Sequence, residues 1–314
     1  MRVFLCESIH PKALALLKSR AEIVSDWNDL GEVQAIINRN LKLPREVLEK
    51  APNLKVIAVH GTGSDGIDLE YCDDHGITIL YVPYQNADSV AELIVTFALA
   101  LLRKIPLADR MVTSGTATVN APPELFGSEL RGKTVGLIGV GDIARRAAKI
   151  FIHGFGCKVI GYGPHFTEET AVELGIERCG SVAEVMRRAD IITPGVHLTD
   201  STANLINREN LALCKPTAVL VNTSRGGVVD EAALYEALKE RKIAAAACDV
   251  WLSEPPTLDN PLVGLPNVLA TPHLGANTDE ALERVGVRMV EEIFAVLDGG
   301  EAEYTYSLRE GRTN

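Results

Sequence analysis

The chain is 314 residues long, with 31 Lys+Arg against 42 Asp+Glu and a formal net charge of −11. At about 150 residues per domain the length points to two domains, and 46% apolar with 23% charged residues excludes a disordered chain. The acidic balance argues against sequence-independent nucleic-acid binding, which needs Lys and Arg facing the phosphates.

Apolar runs at Arg2–Cys6, Lys55–Val59 and Ile77–Leu80 predict strands, with helical patterns near 11–19 and 44–50 between some of them. The charge of Glu7 interrupts any signal-peptide core. A long helical pattern covers Ser89–Arg103. Its nearly apolar part, Val90 to Leu102, contains Glu92 and is too short to cross about 30 Å of hydrocarbon, so no membrane partner is expected. A polar, Gly/Pro-bearing stretch then runs through Gly132. Strands are next predicted at Thr134–Gly139, Lys158–Tyr162, Ile191–Thr193, Ala218–Asn222, Ala244–Asp249 and Val268–Thr271, with helical patterns at Ile143–His153, Val182–Arg188 and Glu231–Arg241. A second long helical pattern, Thr278–Leu297, can return the chain to the first domain. Strand–helix alternation of this kind predicts parallel sheets covered on both faces. The expected fold class is α/β with two doubly wound parallel-sheet domains. The first domain is assembled from both ends of the chain.

Two phosphate-loop patterns sit almost side by side. Residues Gly127 to Thr134 match G-x-x-x-x-G-K-T, but a P-loop needs a strand before it and a helix after it, and here the strand follows. The match is rejected. Directly after that strand, Gly139-Val140-Gly141-Asp142-Ile143-Ala144 reads G-x-G-x-x-A in the required strand–turn–helix–strand setting. Gly139 allows the tight turn, Gly141 the close approach of a pyrophosphate, and Ala144 tight helix–strand packing. The second strand should end in an acid that holds the ribose hydroxyls, yet it ends in Gly163-Pro164-His165. That removes a hydrogen bond to NAD and a charge that repels NADP, and no Arg or Lys follows at once. NAD is favoured, with NADP open.

Three later segments carry catalytic candidates: Asn222 to Asp230 around Arg225, Cys248 to Pro256 with Asp249 and Glu254, and Thr271 to Ala276 around His273. Each follows a predicted strand, at the edge where open α/β sheets bind ligands. An Arg can clamp a carboxylate in a bidentate fork. A Glu beside a His favours the imidazolium and fixes the tautomer, so that the His can exchange a proton with a carbonyl oxygen. Singly, each has a bland reading as a loop charge or a turn. The six cysteines (Cys6, Cys72, Cys157, Cys179, Cys214, Cys248) are scattered with no C-x-x-C pair, which predicts reduced thiols, a cytoplasmic protein and no metal site.

With these motifs in order, together with Gly61-Thr62-Gly63-Ser64-Asp65 and Asn86 to Leu93, the chain resembles the D-isomer-specific 2-hydroxyacid dehydrogenases. The likeness runs from about residue 50 to residue 300 and is strongest to the phosphoglycerate dehydrogenase and hydroxypyruvate/glyoxylate reductase branch. The resemblance implies that Arg225 binds the substrate carboxylate and carbonyl, that His273 is the acid/base, and that Glu254 is its partner. It places His60 and the Gly61–Gly63 loop at the substrate, with the loop's main-chain amides on the carboxylate. Thr62, Asp142, Ile143, Val196, Thr223, Ser224, Asp249 and Gly275 would line the cofactor beside Gly139, Gly141 and Gly163. It also implies a Rossmann dinucleotide-binding domain (100–284) inserted into a discontinuous flavodoxin-like substrate domain (1–99 and 285–314), and a homodimer through elements around Ser89–Pro123. Departures are Gly163 in place of the ribose acid, an altered loop at Pro194 to Thr199, and Val59 where phosphoglycerate dehydrogenases carry an Arg. The leading expectation is hydride transfer between NAD(P)H and a small 2-oxo or D-2-hydroxy acid. The alternatives are an NADPH-preferring glyoxylate/hydroxypyruvate reductase or a dinucleotide-sensing protein without catalysis.

Overall fold

The apolar runs form short parallel strands with helical crossovers. The structure, a computed structural model, describes residues 1–61, 63, 64, 66–307 and 311–313. It divides into two compact units, Met1–Asn86 with Ala276–Asn314, and Ala87–Gly275. The first unit opens with β1 (Arg2–Leu5), α1 (Pro11–Lys18), β2 (Glu22–Val24), β3 (Ala35–Asn38), α2 (Arg45–Leu48), β4 (Val56–Val59), α3 (Leu69–His75) and β5 (Thr78–Tyr81). The second begins with α4 (Ala87–Leu102), α5 (Ile105–Thr113), β6 (Thr134–Ile138), α6 (Asp142–Phe155), β7 (Lys158–Tyr162), α7 (Glu168–Leu174) and β8 (Glu177–Arg178). It continues through α8 (Val182–Arg188), β9 (Ile191–Pro194), α9 (Arg208–Leu211), β10 (Val219–Asn222), α10 (Glu231–Lys239), β11 (Ala245–Cys248) and β12 (Val268–Ala270). The chain then returns to the first unit with α11 (Asp279–Leu297), β13 (Thr305–Ser307) and β14 (Gly311–Thr313).

In the first unit five parallel strands take the flavodoxin-like order β2-β1-β3-β4-β5, extended at the β5 edge by antiparallel β13 and β14. Leu17 of α1 and Val285, Met289 and Ile293 of α11 pack with Val3, Ile37 and Ala58 in one core. The second sheet runs β8-β7-β6-β9-β10-β11-β12, all parallel, which is the Rossmann order with one more strand. Val90, Ala91, Ile94 and Ala98 of α4 share a core with Ala144 and Ala147 of α6 and Val221 of β10.

The units change over at 86/87 and 275/276, rather than at 99/100 and 284/285. The expected positions fall inside α4 and α11, and each helix buries its apolar face in the core of one unit, so the crossings lie at the helix starts. β2, β3, β8, β13 and β14 were not expected. β3 is four residues, all buried, and offers no alternation to read, while β8 has two residues. Residues 127–133 form a loop that feeds β6, with no helix leaving it, as rejection of the P-loop match requires.

Candidate functional site

All the catalytic candidates lie at C-terminal strand ends of the second unit. Past β11, Asp249 is a carboxylate only 1% exposed, and it organises the segment after β12. Its Oδ1 accepts the Leu274 N–H at 2.7 Å and the Thr271 hydroxyl, and its Oδ2 accepts the Gly275 N–H at 2.8 Å. Its main-chain carbonyl accepts the His273 N–H at 2.8 Å. Wrapped this way, His273 is held at φ +60. Its Nδ1 lies 2.8 Å from Glu254 Oε2. Glu254 Oε1 in turn accepts the Trp251 N–H at 3.0 Å, and the Trp251 indole donates to the Thr271 carbonyl at 2.9 Å. Burial alone would push the Glu254 carboxyl up, but the His273 hydrogen bond and charge, the Trp251 N–H and the Arg225 charge together hold it below its usual value.

Arg225 follows β10 on a turn that Asn222 builds. The buried Asn222 accepts the Ser224 N–H and hydroxyl at 3.1 and 2.9 Å and donates to the Arg225 carbonyl at 3.1 Å. Gly226 lies so close to the neighbouring segment that a Cβ there would come within 2.0 Å of the Trp251 carbonyl carbon. That approach sets Arg225 beside the loop carrying Glu254. Sequence reading brought out Arg225, Glu254, His273 and Asp249 but not the roles of Asn222, Trp251 and Thr271. An Asn at a strand end, two residues before a Ser, is the available signal for the first.

The glycine turn lies between β6 and β9, where strand order reverses. Gly139 has φ +94, and a Cβ on it would approach the Gly195 carbonyl oxygen to 2.5 Å and Val196 Cγ1 to 2.8 Å. Gly141 caps α6 with no side-chain bond to its amides, and a Cβ there would meet nothing within 4 Å. Free amides at a helix start facing open space fit the pyrophosphate of a dinucleotide. Asp142 pairs with Arg146 at 3.1 Å, and Ile143 packs against the α4–α6 core. Thr223 and Ser224 sit on the Asn222 turn, and Gly275 on the Asp249 carboxylate. Gly163 closes β7 with no carboxylate. A Cβ there would lie 3.7 Å from Val140 N and 3.9 Å from Gly139 Cα, ordinary contact distances.

In the first unit, His60 and Gly61 follow β4, with Gly61 at φ +129. Thr62 lies outside the described residues, and Gly63 lies within them. His60 is 8% exposed and its Nε2 has no hydrogen-bond partner. Burial, aided by the Arg39 charge, lowers its pKa to about 4, so the ring is neutral near neutral pH. Among the described residues no cluster of His, Cys, Asp or Glu could hold a metal ion, and no helix is long and apolar enough to cross a membrane.

A Rossmann-order sheet with a glycine turn at its switch point defines a dinucleotide-binding α/β protein. Residues 95–275 match the family described as D-isomer specific 2-hydroxyacid dehydrogenase, NAD binding domain. The chain is 39% identical to the hydroxypyruvate reductase of Thermotoga maritima, covering 94% of this chain and 98% of that one. It is also 39% identical to the D-3-phosphoglycerate dehydrogenase of Methanocaldococcus jannaschii, covering 98% of this chain and 60% of that one. Among solved structures it superposes on the NADPH-dependent glyoxylate/hydroxypyruvate reductase of Sinorhizobium meliloti with a TM-score of 0.87 at 28% identity, over 99% of each chain. The chain thus belongs to the D-isomer-specific 2-hydroxyacid dehydrogenase family. It spans about three fifths of the length of the phosphoglycerate dehydrogenases it matches.

Proposed function

We propose that the chain reversibly transfers a hydride between NAD(P)H and a small 2-oxo acid, yielding a D-2-hydroxy acid. The observation that carries this reading is the 2.8 Å contact between His273 Nδ1 and Glu254, beside the charge of Arg225. When bound, the nicotinamide supplies the hydride to the carbonyl carbon, or accepts it in the reverse direction. Arg225 holds the substrate carboxylate and carbonyl in a bidentate fork. Glu254 accepts the His273 Nδ1–H, which keeps the ring in one tautomer and leaves Nε2 for the substrate. Nε2–H gives its proton to the carbonyl oxygen as the new C–H bond forms, and Nε2 takes the proton back in oxidation.

Gly61, Thr62 and Gly63 are assigned to the substrate carboxylate through main-chain amides. His60, buried and neutral, is assigned to the substrate side with that loop. Gly139, Gly141, Asp142, Ile143, Gly163, Val196, Thr223, Ser224, Asp249 and Gly275 are assigned to the cofactor. The relatives named hydroxypyruvate reductase and glyoxylate/hydroxypyruvate reductase favour a two- or three-carbon 2-oxo acid. The same reading includes a cytoplasmic homodimer. Six free cysteines favour a reducing compartment. α5 buries none of its residues, and Ile105, Val112, Val119 and Phe126 are exposed around it, an apolar surface that a second copy would cover.

The test is oxidation of NADH and of NADPH with glyoxylate, hydroxypyruvate, pyruvate and phosphohydroxypyruvate. Turnover with at least one acid is expected. Binding of the nucleotides without turnover on any acid would overturn the enzyme reading and leave a dinucleotide sensor.

A further inference from the structure

We infer that Arg145 and Arg178 form a subsite for the adenosine 2′-phosphate around Gly163, so that NADP(H) is the preferred dinucleotide. The inference rests on the proposed dehydrogenase reading and sharpens it. After β7 the chain makes a turn from Gly163 to Phe166, closed by the Phe166 N–H donating to the Gly163 carbonyl at 3.1 Å. Arg178 returns to this turn from β8 and donates its Nε–H to the Phe166 carbonyl at 2.7 Å. Arg145, in the first turn of α6, reaches back to the glycine turn and donates its Nε–H to the Val140 carbonyl at 3.1 Å. The two anchoring turns meet at Gly163, whose Cβ would stand 3.5 Å from Phe166 Cβ and 3.7 Å from Val140 N.

Both residues are exposed. Anchoring through Nε leaves the two Nη groups of each as outward donors, the fork that suits a phosphate. Among the described residues neither guanidinium pairs with a carboxylate. The neighbouring Arg146 is taken by Asp88 and Asp142, and Arg188 holds Glu177 and Glu184. Glu168 and Glu169, in the first turn of α7, make no ion pair with either arginine. A lone exposed Arg would mean little. Two of them, hung from the main chain of the two turns that meet where the ribose acid is missing, replace a repelling charge with attracting ones. Arg178 lies 15 positions beyond Gly163 in sequence, and only the β7–β8 pairing brings it back.

The experiment is fluorescence titration of the full chain with NADH and with NADPH, without substrate, followed by competition with 2′,5′-ADP. It is run on the parent, Arg145→Gln, Arg178→Gln and Gly163→Asp. The parent is expected to bind NADPH more tightly than NADH and to be displaced by 2′,5′-ADP. Each arginine variant is expected to lose about tenfold or more for NADPH, and far less for NADH. Gly163→Asp should reverse the preference. The NADH affinity reports that the site is still folded. If the parent favours NADH, or if the arginine variants weaken both nucleotides equally, the subsite is overturned while the dinucleotide reading stands. If neither nucleotide binds, the dinucleotide reading itself fails.

Discussion

Glu254 is subject to opposing influences. Burial raises its pKa, while the His273 hydrogen bond, the Trp251 N–H and the charges of His273 and Arg225 lower it, and the lowering prevails. A carboxyl held below its unfolded value stabilises the fold above the ordinary carboxylate range and loses that contribution as pH falls through the folded-state value. The melting-temperature advantage of the parent over Glu254→Gln should therefore be present at pH 7 and shrink below about pH 4. An advantage that persists at low pH would mean that the carboxylate charge contributes nothing. The same variant removes the carboxylate that accepts the His273 Nδ1–H, so kcat/KM for 2-oxo acid reduction should fall by about tenfold or more in steady-state kinetics. Arg225→Lys keeps the charge but loses the fork, and should cost about 2–4 kcal/mol in kcat/KM, through KM and kcat together. Unchanged kinetics on every accepted acid would make Arg225 structural only. These residues were legible because each follows a strand of apolar residues and sits beside Gly or Pro. The Asp249 wrap was not, because three of its four bonds end on main-chain amides of the segment after β12. Nor was the pairing of Arg145 and Arg178 with main-chain carbonyls, which depends on side-chain paths that spacing does not encode.

Among the elements, the short turn after Arg225, Gly226–Val228, is tightly constrained. A methyl group at Gly226 would overlap the Trp251 carbonyl carbon at 2.0 Å, and main chain cannot swing aside as a side-chain end can. Gly226→Ala should destabilise the fold by about 1–3 kcal/mol and lower kcat/KM by about a hundredfold through displacement of Arg225. Thermal melting and steady-state kinetics on one preparation check both effects, and a neutral variant would contradict the packing argument. The β7 turn is the opposite case, since a side chain at Gly163 meets only ordinary contacts. Gly163→Asp should thus fold normally and shift the NADH/NADPH ratio of kcat/KM toward NADH by about 1–3 kcal/mol. Strands such as β6, β7 and β10 were legible from uninterrupted buried runs, and α6 from its glycine turn and apolar stripe. The short strands β2 and β8 were not, being only three and two residues long, with both residues of β8 exposed.

At the scale of the whole chain, the doubly wound class followed from strand–helix alternation, whereas the strand orders needed the structure, because parallel neighbours are distant in sequence. The expected crossing points fell within α4 and α11 instead of at their starts, since periodicity marks the body of each helix but not the core it joins. The exposed apolar surface around α5 carries its own test. Phe126→Asp and Val112→Asp should shift the chain from dimer to monomer in light scattering, and a parent already monomeric at all concentrations would contradict the assembly. The proposed dinucleotide-dependent reduction has His273 pass the proton to the 2-oxo acid. Its most direct measurement is the single-turnover reduction rate of an accepted 2-oxo acid by the parent and by His273→Ala, alongside the nucleotide Kd of each. The rate should fall by about a hundredfold to ten-thousandfold while the Kd stays within about twofold. A variant that turns over at the parent's rate would contradict the account.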